Sequence, residues 1–496
     1  MNMKTYAVIG SGTMGSGIAQ KIAIEGSRVI VVDINREALG RGKDMMNTIF
    51  KESIQRKLLS EDQVAGIWKT ITFTTDIEEC KDAGMIIEAV FEDMKVKEEI
   101  FSKLENIVGA DVVIASNTSS YRITELAKTL RRPERFIGLH FFYHPVKNRL
   151  LEIIPGEKTN PQTLEAAQRF CALLGKVDIV GKDSPGFVVN RFFVPWLNES
   201  VRILAEGKAT LDEIETTAKK CFRLGMGPFE LMNVTGVPIA VHASDGLAQA
   251  LGDFYRPDPL LVTQAQKGLW TLETPAAEGG QMNDYVYRRF LGLIAAIAAT
   301  LVEEGAATPL DIDLGARVGL RWPEGPLSLY NRMTVTERQK VIDTFKERYN
   351  TGDFPFPKSL TADFTFPLAN VVETAVPGNI VTISLARPDH ANAFNEALFK
   401  DLDRAVEKNT GASVLIINGK GKNFAAGADI DFFIRNIEAG RIDRIIEFTR
   451  EAQATLARID RFTGSVIAVV DGFALGGGAE LMLTADVITA APRALI

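Results

Sequence analysis

The sequence is poor in sulfur chemistry, in histidine and in long apolar runs. Among 496 residues there are three cysteines, Cys80, Cys171 and Cys221, scattered with no C-x-x-C pair. That excludes a disulfide framework and fits a reducing compartment, so a cytoplasmic location is expected. The longest apolar run, Leu291 to Val302, is 12 residues. It is too short to cross a bilayer and reads as a buried helix, so no membrane partner is expected. The N-terminus has no signal-peptide pattern. There is no basic block and the net charge is −7, which argues against nucleic acid or an anionic membrane as a partner. What remains is a globular composition, 46% hydrophobic and 24% charged, with length enough for about three domains.

The first organised stretch runs from Lys4 to Gly15. Residues 4–9 are short, apolar and β-branched, as a buried strand requires. Gly10, Gly12 and Gly15 follow, with Thr13 and Met14 between the last two, and Ile18, Ala19, Ile22 and Ala23 give the next segment a helical period. In strand, glycine turn and helix of this kind, Gly10 permits the turn, Gly12 admits a pyrophosphate, and Gly15 lets helix and strand pack closely. The helix N-terminus offers free N–H groups to phosphate. A second strand ends in Asp33, 18 residues after Gly15. A carboxylate there would bond a ribose 2′-hydroxyl and repel a 2′-phosphate, which favours NAD over NADP. Taken alone, the glycine spacing is only a turn; the whole ordered context points to a dinucleotide site.

Strands are expected at Met85–Val90, Val112–Ala115, Phe136–Phe142 and Leu150–Ile154, with helices between the earlier ones. This is the pattern of a parallel sheet covered on both faces, with ligands at the carboxyl ends of its strands. Residues 36–57 read as a helix carrying Arg36, Arg41, Lys43, Lys51, Arg56 and Lys57, either a solvated face or a contact for a phosphorylated substrate tail. Asp183-Ser184-Pro185-Gly186 reads as a helix start, and the pattern stays helical to about residue 350. Within it lies an internal repeat at a constant offset of 98 residues. Arg191-Phe192 matches Arg289-Phe290, Glu206-Gly207 matches Glu304-Gly305, Arg223 matches Arg321, and Gly227-Pro228 matches Gly325-Pro326. Two copies of one helical unit packed about a pseudo-two-fold axis are expected. Asn190 in the first copy is Arg288 in the second. Residues 351–370, rich in proline and phenylalanine, read as an extended linker, and a new α/β pattern starts near Val371.

The chain's histidines are His140, His144, His242 and His390. His140 closes an apolar strand, and Glu152 lies on the next one. Neighbouring strands could hold the carboxylate against the imidazole, fixing its tautomer and leaving the other nitrogen to take a proton. A purely structural His–Glu pair is the alternative. His140 and His144 are not expected on one helix and lack a third ligand, so no metal is expected.

Four segments carry a resemblance. Ser116-Asn117-Thr118-Ser119-Ser120, Leu139-His140-Phe141-Phe142 with Leu151-Glu152, Ser184 to Arg191, and Gly225 to Leu231 resemble the 3-hydroxyacyl-CoA dehydrogenase family, in the family's order. The resemblance implies a Rossmann NAD-binding domain over 1–184 and a helical domain in two copies, 185–282 and 283–350. It also implies His140 as the base, Glu152 as its orienting carboxylate, and Ser119 and Asn190 as donors to the substrate oxygens. Gly10, Gly12, Thr13, Met14, Gly15, Asp33, Glu92, Lys97 and Asn117 would line the cofactor. The substrate would be an acyl-CoA thioester, oxidised at C3 in fatty acid β-oxidation-type metabolism. Single-copy members dimerise through the helical domain, so a monomer with an internal pseudo-dimer, or a homo-oligomer, is expected. Tyr143-His144-Pro145 departs from the family's usual Asn-Pro.

Residues 371–496 resemble the front of an enoyl-CoA hydratase, or crotonase, domain. The segments are Arg387 to Phe394, Asn423 to Asp429, and Asp471 to Leu481. The resemblance implies an oxyanion hole from the Ala428 and Gly477 amides and an acid/base role for Glu480. A second glutamate is expected further on in that family, so this module is expected to be truncated and weak as a hydratase. The whole chain therefore reads as α/β: a Rossmann domain, a helical domain of two repeats, and a truncated crotonase-like module. The readings left open beside the NAD-dependent dehydrogenase are a bifunctional hydratase–dehydrogenase, a non-catalytic NAD- or CoA-binding relative, and a dehydrogenase of another hydroxy-acid class.

Overall fold

A computed structural model describes residues 4–272, 281–349 and 352–496. It divides into two compact units, Met1–Leu174 with Ile179–Phe366, and Gly175–Asp178 with Pro367–Ile496. The expected boundary at 350/351 lies outside the described residues.

The first unit is built on an eight-stranded sheet. Its strands are β1 (Thr5–Ile9), β2 (Arg28–Val32), β3 (Ile71–Thr74), β4 (Met85–Glu88), β5 (Val113–Ser116), β6 (Phe136–Phe141), β7 (Leu150–Pro155) and β8 (Val177–Val180), in the order 3-2-1-4-5-6-7-8. Strands β1 to β6 pair in parallel, and β7 runs antiparallel to β6. The order reverses between β1 and β4, which puts a ligand crevice at their carboxyl ends. Around the sheet lie α1 (Thr13–Ile24), α2 (Arg36–Gln55), α3 (Glu61–Trp68), α4 (Met94–Ile107), the short α5 (Ile123–Leu126) and α6 (Pro161–Leu173). Alternation sorts the strand side chains. Val8, Val29, Val31 and Ile87 pack with Ile18, Ile22, Met46 and Phe170 of α1, α2 and α6. On the other face Ala7, Ile9 and Ile86 pack with Phe101, Leu104, Ile123 and Leu126 of α4 and α5.

The helical part follows. Copy one is α7 (Val189–Ala205), α8 (Leu211–Phe222), α9 (Pro228–Thr235) and α10 (Val237–Leu251), trailed by α11 (Pro259–Lys267). Copy two is α12 (Asp284–Glu303), α13 (Pro309–Leu314), α14 (Pro326–Arg332) and α15 (Val335–Arg348). The 98-residue offset of the sequence persists in the backbone and in the side chains. Arg223 and Arg321 are both left-handed, at φ 49° and 59°. Glu215 accepts from the backbone N–H of Phe229 and Glu230, and Asp313, 98 residues on, accepts from Leu327 and Ser328. Each carboxylate thus caps the helix that starts at the following Gly-Pro. The copies also exchange ion pairs. Arg191 of copy one binds Glu304 of copy two at 3.0 Å, and Arg289 of copy two binds Glu206 of copy one at 2.8 Å. A pattern in which residue i meets j′ of the other copy and i′ meets j is the signature of a two-fold interface, here within one chain. Helix α12 is long and apolar enough to cross a membrane, but 72% of that stretch is buried within the protein.

Two expectations change. The helix expected from Asp183 starts at Val189, because Gly186 and Phe187 are left-handed at φ 72° and 49° and form a turn. The Asp183 carboxylate instead accepts from the N–H groups of Ile123 and Thr124, at the start of α5. The described part of 351–370 is not merely extended. Phe354, Leu360 and Phe366 are buried, and the Arg338 guanidinium donates to the carbonyls of Ala362 and Phe364.

The second unit has a five-stranded sheet in the order β13-β12-β11-β10-β9. Its strands are β9 (Val371–Val376), β10 (Ile380–Leu385), β11 (Val414–Gly419), β12 (Ser465–Val470) and β13 (Val487–Ala490). The hairpin β9–β10 is antiparallel and the rest is parallel. Helices α16 (Glu396–Lys408), α17 (Ile430–Glu438), α18 (Ile442–Asp460) and α19 (Gly477–Leu483) complete it.

Candidate active site

The glycine turn has the shape a dinucleotide needs. Gly10 sits at φ +101°, and a Cβ there would meet the Ala89 carbonyl oxygen at 2.6 Å. A Cβ on Gly15 would fall 1.9 Å from the Gly10 carbonyl oxygen, so helix α1 can approach β1 only without one. Over Gly12 nothing lies within 4 Å of an added Cβ, which leaves the N-terminus of α1 open to a phosphate group. Thr13 and Met14 form the first turn of that helix. At the end of β2, Asp33 Oδ2 accepts from both the backbone N–H and the hydroxyl of Ser11 at 2.7 Å, and Oδ1 accepts from the Ile34 N–H. The carboxylate is therefore fixed beside the turn. These features fit NAD.

His140 and Glu152 face each other across the antiparallel pair β6–β7, in direct register. The His140 Nδ1 is 2.5 Å from Glu152 Oε2, and both residues are buried. The imidazole packs against the rings of Phe142 and Phe187, with centroids 4.6 and 5.8 Å away. The other oxygen of Glu152 accepts from the N–H of Val188 and Val189, at 3.2 and 2.9 Å. Those amides open α7, whose second residue is Asn190. One carboxylate thus joins the histidine of the sheet to the helix that carries Asn190. The positive end of that helix favours a negative charge at this point.

The segment after β5 carries Asn117 and Ser119. The Asn117 side chain accepts from the Phe141 N–H, so it braces β6 next to His140. Ser119 is exposed, with its hydroxyl 3.4 Å from that of Ser120. Among the described residues, no hydrogen bond joins Ser119 or Asn190 to His140. Glu92 and Lys97 form an ion pair at 3.0 Å, and Glu92 also bonds the Thr118 hydroxyl. In the departure from the family pattern, Tyr143 is exposed, and the His144 Nδ1 accepts from the Val146 N–H.

Several polar groups around the site stand outside the motifs. Glu88 is fully buried at the end of β4, where a charge closing the apolar run Met85-Ile86-Ile87 was the available clue. The Asp183 carboxylate bonds the amides of Ile123 and Thr124, and the Val188 and Val189 amides bond Glu152; pairings with backbone groups are not disclosed by residue type.

In the second unit Ala428 and Gly477 lie on neighbouring turns. Gly427, at φ +87°, carries a would-be Cβ 2.9 Å from the Leu475 carbonyl oxygen, just before Gly476. Phe394 and Ala428 form a β-bridge, and a Cβ on Gly477 would meet the Phe394 ring at 3.1 Å. The amides of Ala428 and Gly477 find no acceptor among the described residues. Glu480 stands one turn into α19 and is exposed.

Comparison with known proteins agrees with this division. Residues 5–184 match the 3-hydroxyacyl-CoA dehydrogenase NAD binding domain. Residues 186–276, and again 285–364, match the 3-hydroxyacyl-CoA dehydrogenase C-terminal domain. Residues 375–496 match the enoyl-CoA hydratase/isomerase family. The 3-hydroxybutyryl-CoA dehydrogenase of Bradyrhizobium diazoefficiens is 34% identical over 267 residues, 54% of this chain and 91% of that one. The fatty acid oxidation complex subunit alpha of Idiomarina loihiensis is 38% identical over 242 residues, 49% of this chain but only 34% of its own length. The solved structure of (S)-3-hydroxybutyryl-CoA dehydrogenase from Ralstonia eutropha superposes with a TM-score of 0.52 at 36% identity, covering 54% of this chain and 94% of that one. With its NAD-binding half, its helical half and nearly the full length of a curated relative all matched in order, this chain belongs to the 3-hydroxyacyl-CoA dehydrogenase family.

Proposed function

We propose that the first unit oxidises (3S)-3-hydroxyacyl-CoA to 3-ketoacyl-CoA with NAD, in fatty acid β-oxidation-type metabolism. The observation that carries this reading is the His140–Glu152 pair at 2.5 Å, buried at the carboxyl edge of a dinucleotide-binding sheet. In this reading His140 Nε2 takes the proton of the 3-hydroxyl as C3 becomes a carbonyl. Glu152 keeps the Nδ1 proton on its own side and stabilises the imidazolium that forms. Asn190 and Ser119 donate to the substrate oxygens and hold the reacting carbon in place. The bound NAD supplies the acceptor for the hydride that leaves C3. Asp33 selects against a 2′-phosphate. The test is oxidation of NADH by the purified chain in the presence of acetoacetyl-CoA, with NADPH as comparison. Turnover with NADH and a rate lower by about tenfold or more with NADPH is expected, the penalty of one or more unfavourable charge contacts. No turnover with acetoacetyl-CoA or with longer 3-ketoacyl-CoA esters refutes the reading.

A second reading concerns the second unit. The unpartnered amides of Ala428 and Gly477 favour a site for a CoA-thioester carbonyl, with Glu480 as acid or base. Hydration of crotonyl-CoA that disappears in Glu480→Gln supports it, and hydration unaffected by that substitution refutes it.

A further inference from the structure

One buried group at the crevice has no part in the reaction above. Glu88 Oε1 accepts from Lys97 Nζ at 2.6 Å and from the Val90 N–H at 2.8 Å, and Oε2 accepts from the Ser116 hydroxyl at 2.6 Å. Lys97 is 1% exposed and also pairs with Glu92 at 3.0 Å. Two carboxylates thus share one ammonium, and the cluster carries a formal charge of −1. The fully buried part, Glu88 with Lys97, is an ion pair that is costly to desolvate and whose apolar replacement often stabilises a fold, while Glu92 adds a second carboxylate at the partly exposed end. Stability is therefore a weak reason for this one to be here.

Its position suggests another. Glu88 lies in register with Ile9 on one side and Ser116 on the other, next to Gly10. That is the junction of β1 and β4, where the strand order reverses and a dinucleotide crosses the sheet edge. Resting on the reading of the first unit as an NAD dehydrogenase, we propose that the Glu88–Lys97–Glu92 cluster biases the site toward the oxidised cofactor. The nicotinamide ring is a cation when oxidised and neutral when reduced. Net negative charge near the crevice lowers the free energy of the first form relative to the second. Burial of Glu88 and Lys97 limits screening by salt. Lys97 can neutralise only one of its two carboxylate partners, so loss of either carboxylate charge leaves the cluster neutral, and the change at Glu88 is the less screened because that side chain is fully buried.

The test reads binding, not turnover. NADH affinity is measured by fluorescence titration and NAD+ affinity by competition, for the wild type, Glu88→Gln, Glu92→Gln and Glu105→Gln. At an effective dielectric of about 20, a unit charge near the rim of the site corresponds to about tenfold. Glu88→Gln should therefore raise the ratio of the NAD+ to the NADH dissociation constant about tenfold. Glu92→Gln should raise it by less, because its side chain is 27% exposed. Glu105, on the same helix as Lys97, is as deeply set but bonds Arg131 and Arg132. Its loss should weaken the fold and leave the ratio unchanged. A ratio unchanged or lowered in Glu88→Gln overturns the inference, and Glu92→Gln decides in the same way should Glu88→Gln not fold. A wild type that binds neither nucleotide overturns the dehydrogenase reading itself, which keeps the two failures apart.

Discussion

Glu152 is the residue on which the proposed site turns, and two substitutions separate its two jobs. One oxygen orients His140; the other holds the Val188 and Val189 amides at the start of α7. In Glu152→Gln the amide oxygen can still accept from the α7 amides, as a neutral acceptor worth about 0.5–1.5 kcal/mol per bond in place of about 1.5–3. The stability cost should be about 2–3 kcal/mol. The amide nitrogen, however, now faces Nδ1. It forces that nitrogen to accept, so the proton moves to Nε2 and the base is lost; in the reductive direction the imidazolium that returns the proton to the carbonyl oxygen loses its stabilising carboxylate. General-base catalysis is worth about 10²–10⁴ in rate, and a wrong tautomer at a comparable dyad costs about 10⁴. Turnover of acetoacetyl-CoA should fall by about that factor while NADH binding persists. Glu152→Ala leaves both amides buried and unpaired. It should cost about 3–6 kcal/mol in urea unfolding, since each lost charged bond is worth about 1.5–3. Glu152→Gln with a turnover number within about threefold of wild type would refute the orienting role. Glu152→Ala as stable as Glu152→Gln would refute the link to α7.

Other consequences follow from the same contacts. Replacing Arg289 by Met removes the nearest cation of the fully buried Glu199, 2.5 Å away, and leaves it the Tyr349 hydroxyl and, at 3.6 Å, Arg202; the cost should reach at most about 3–5 kcal/mol in unfolding free energy, and an unchanged midpoint and slope in urea would show the pair to be silent. For Glu206, burial alone would raise the carboxyl pKa, but its bonds to Arg289 and Arg348 outweigh burial and hold it below the ordinary value of 4.5. A lowered folded pKa gives stability that is present above the unfolded value and lost as pH falls through the folded one. The stability gap between wild type and Glu206→Gln should therefore be widest near neutral pH and close as pH drops below about 4.5; a gap that widens in acid contradicts this. Asp33→Ser removes the charge facing a 2′-phosphate and should raise the relative kcat/KM for NADPH over NADH by about tenfold or more; no change would mean Asp33 does not set cofactor choice.

How much of this was legible in the sequence depended on whether the information was local. The glycine turn, the pairing of His140 with Glu152 and the 98-residue repeat could be read directly. Each rests on periodicity or on a short hairpin-like return that leaves few geometries open. The start of α7 could not be read. Pro185 and Gly186 resemble a helix entry, yet Gly186 and Phe187 turn left-handed and delay the helix to Val189. The segment after residue 351 looked like a linker because proline and phenylalanine dominate it. Its burial is supplied from afar, by Phe254, Phe345 and Arg338. Glu88 shows the same limit at the site: its role depends on Lys97, Ser116 and the turn at Val90, which meet only when β4, β5 and α4 assemble.

The central claim is that an imidazole held by Glu152 takes the substrate proton in an NAD-binding cleft. The most direct measurement compares wild type and His140→Gln for acetoacetyl-CoA-dependent NADH oxidation and for NADH binding in the same preparations. The account predicts unchanged NADH affinity with turnover lower by about 10²–10⁴. A His140→Gln rate within about threefold of wild type would contradict it.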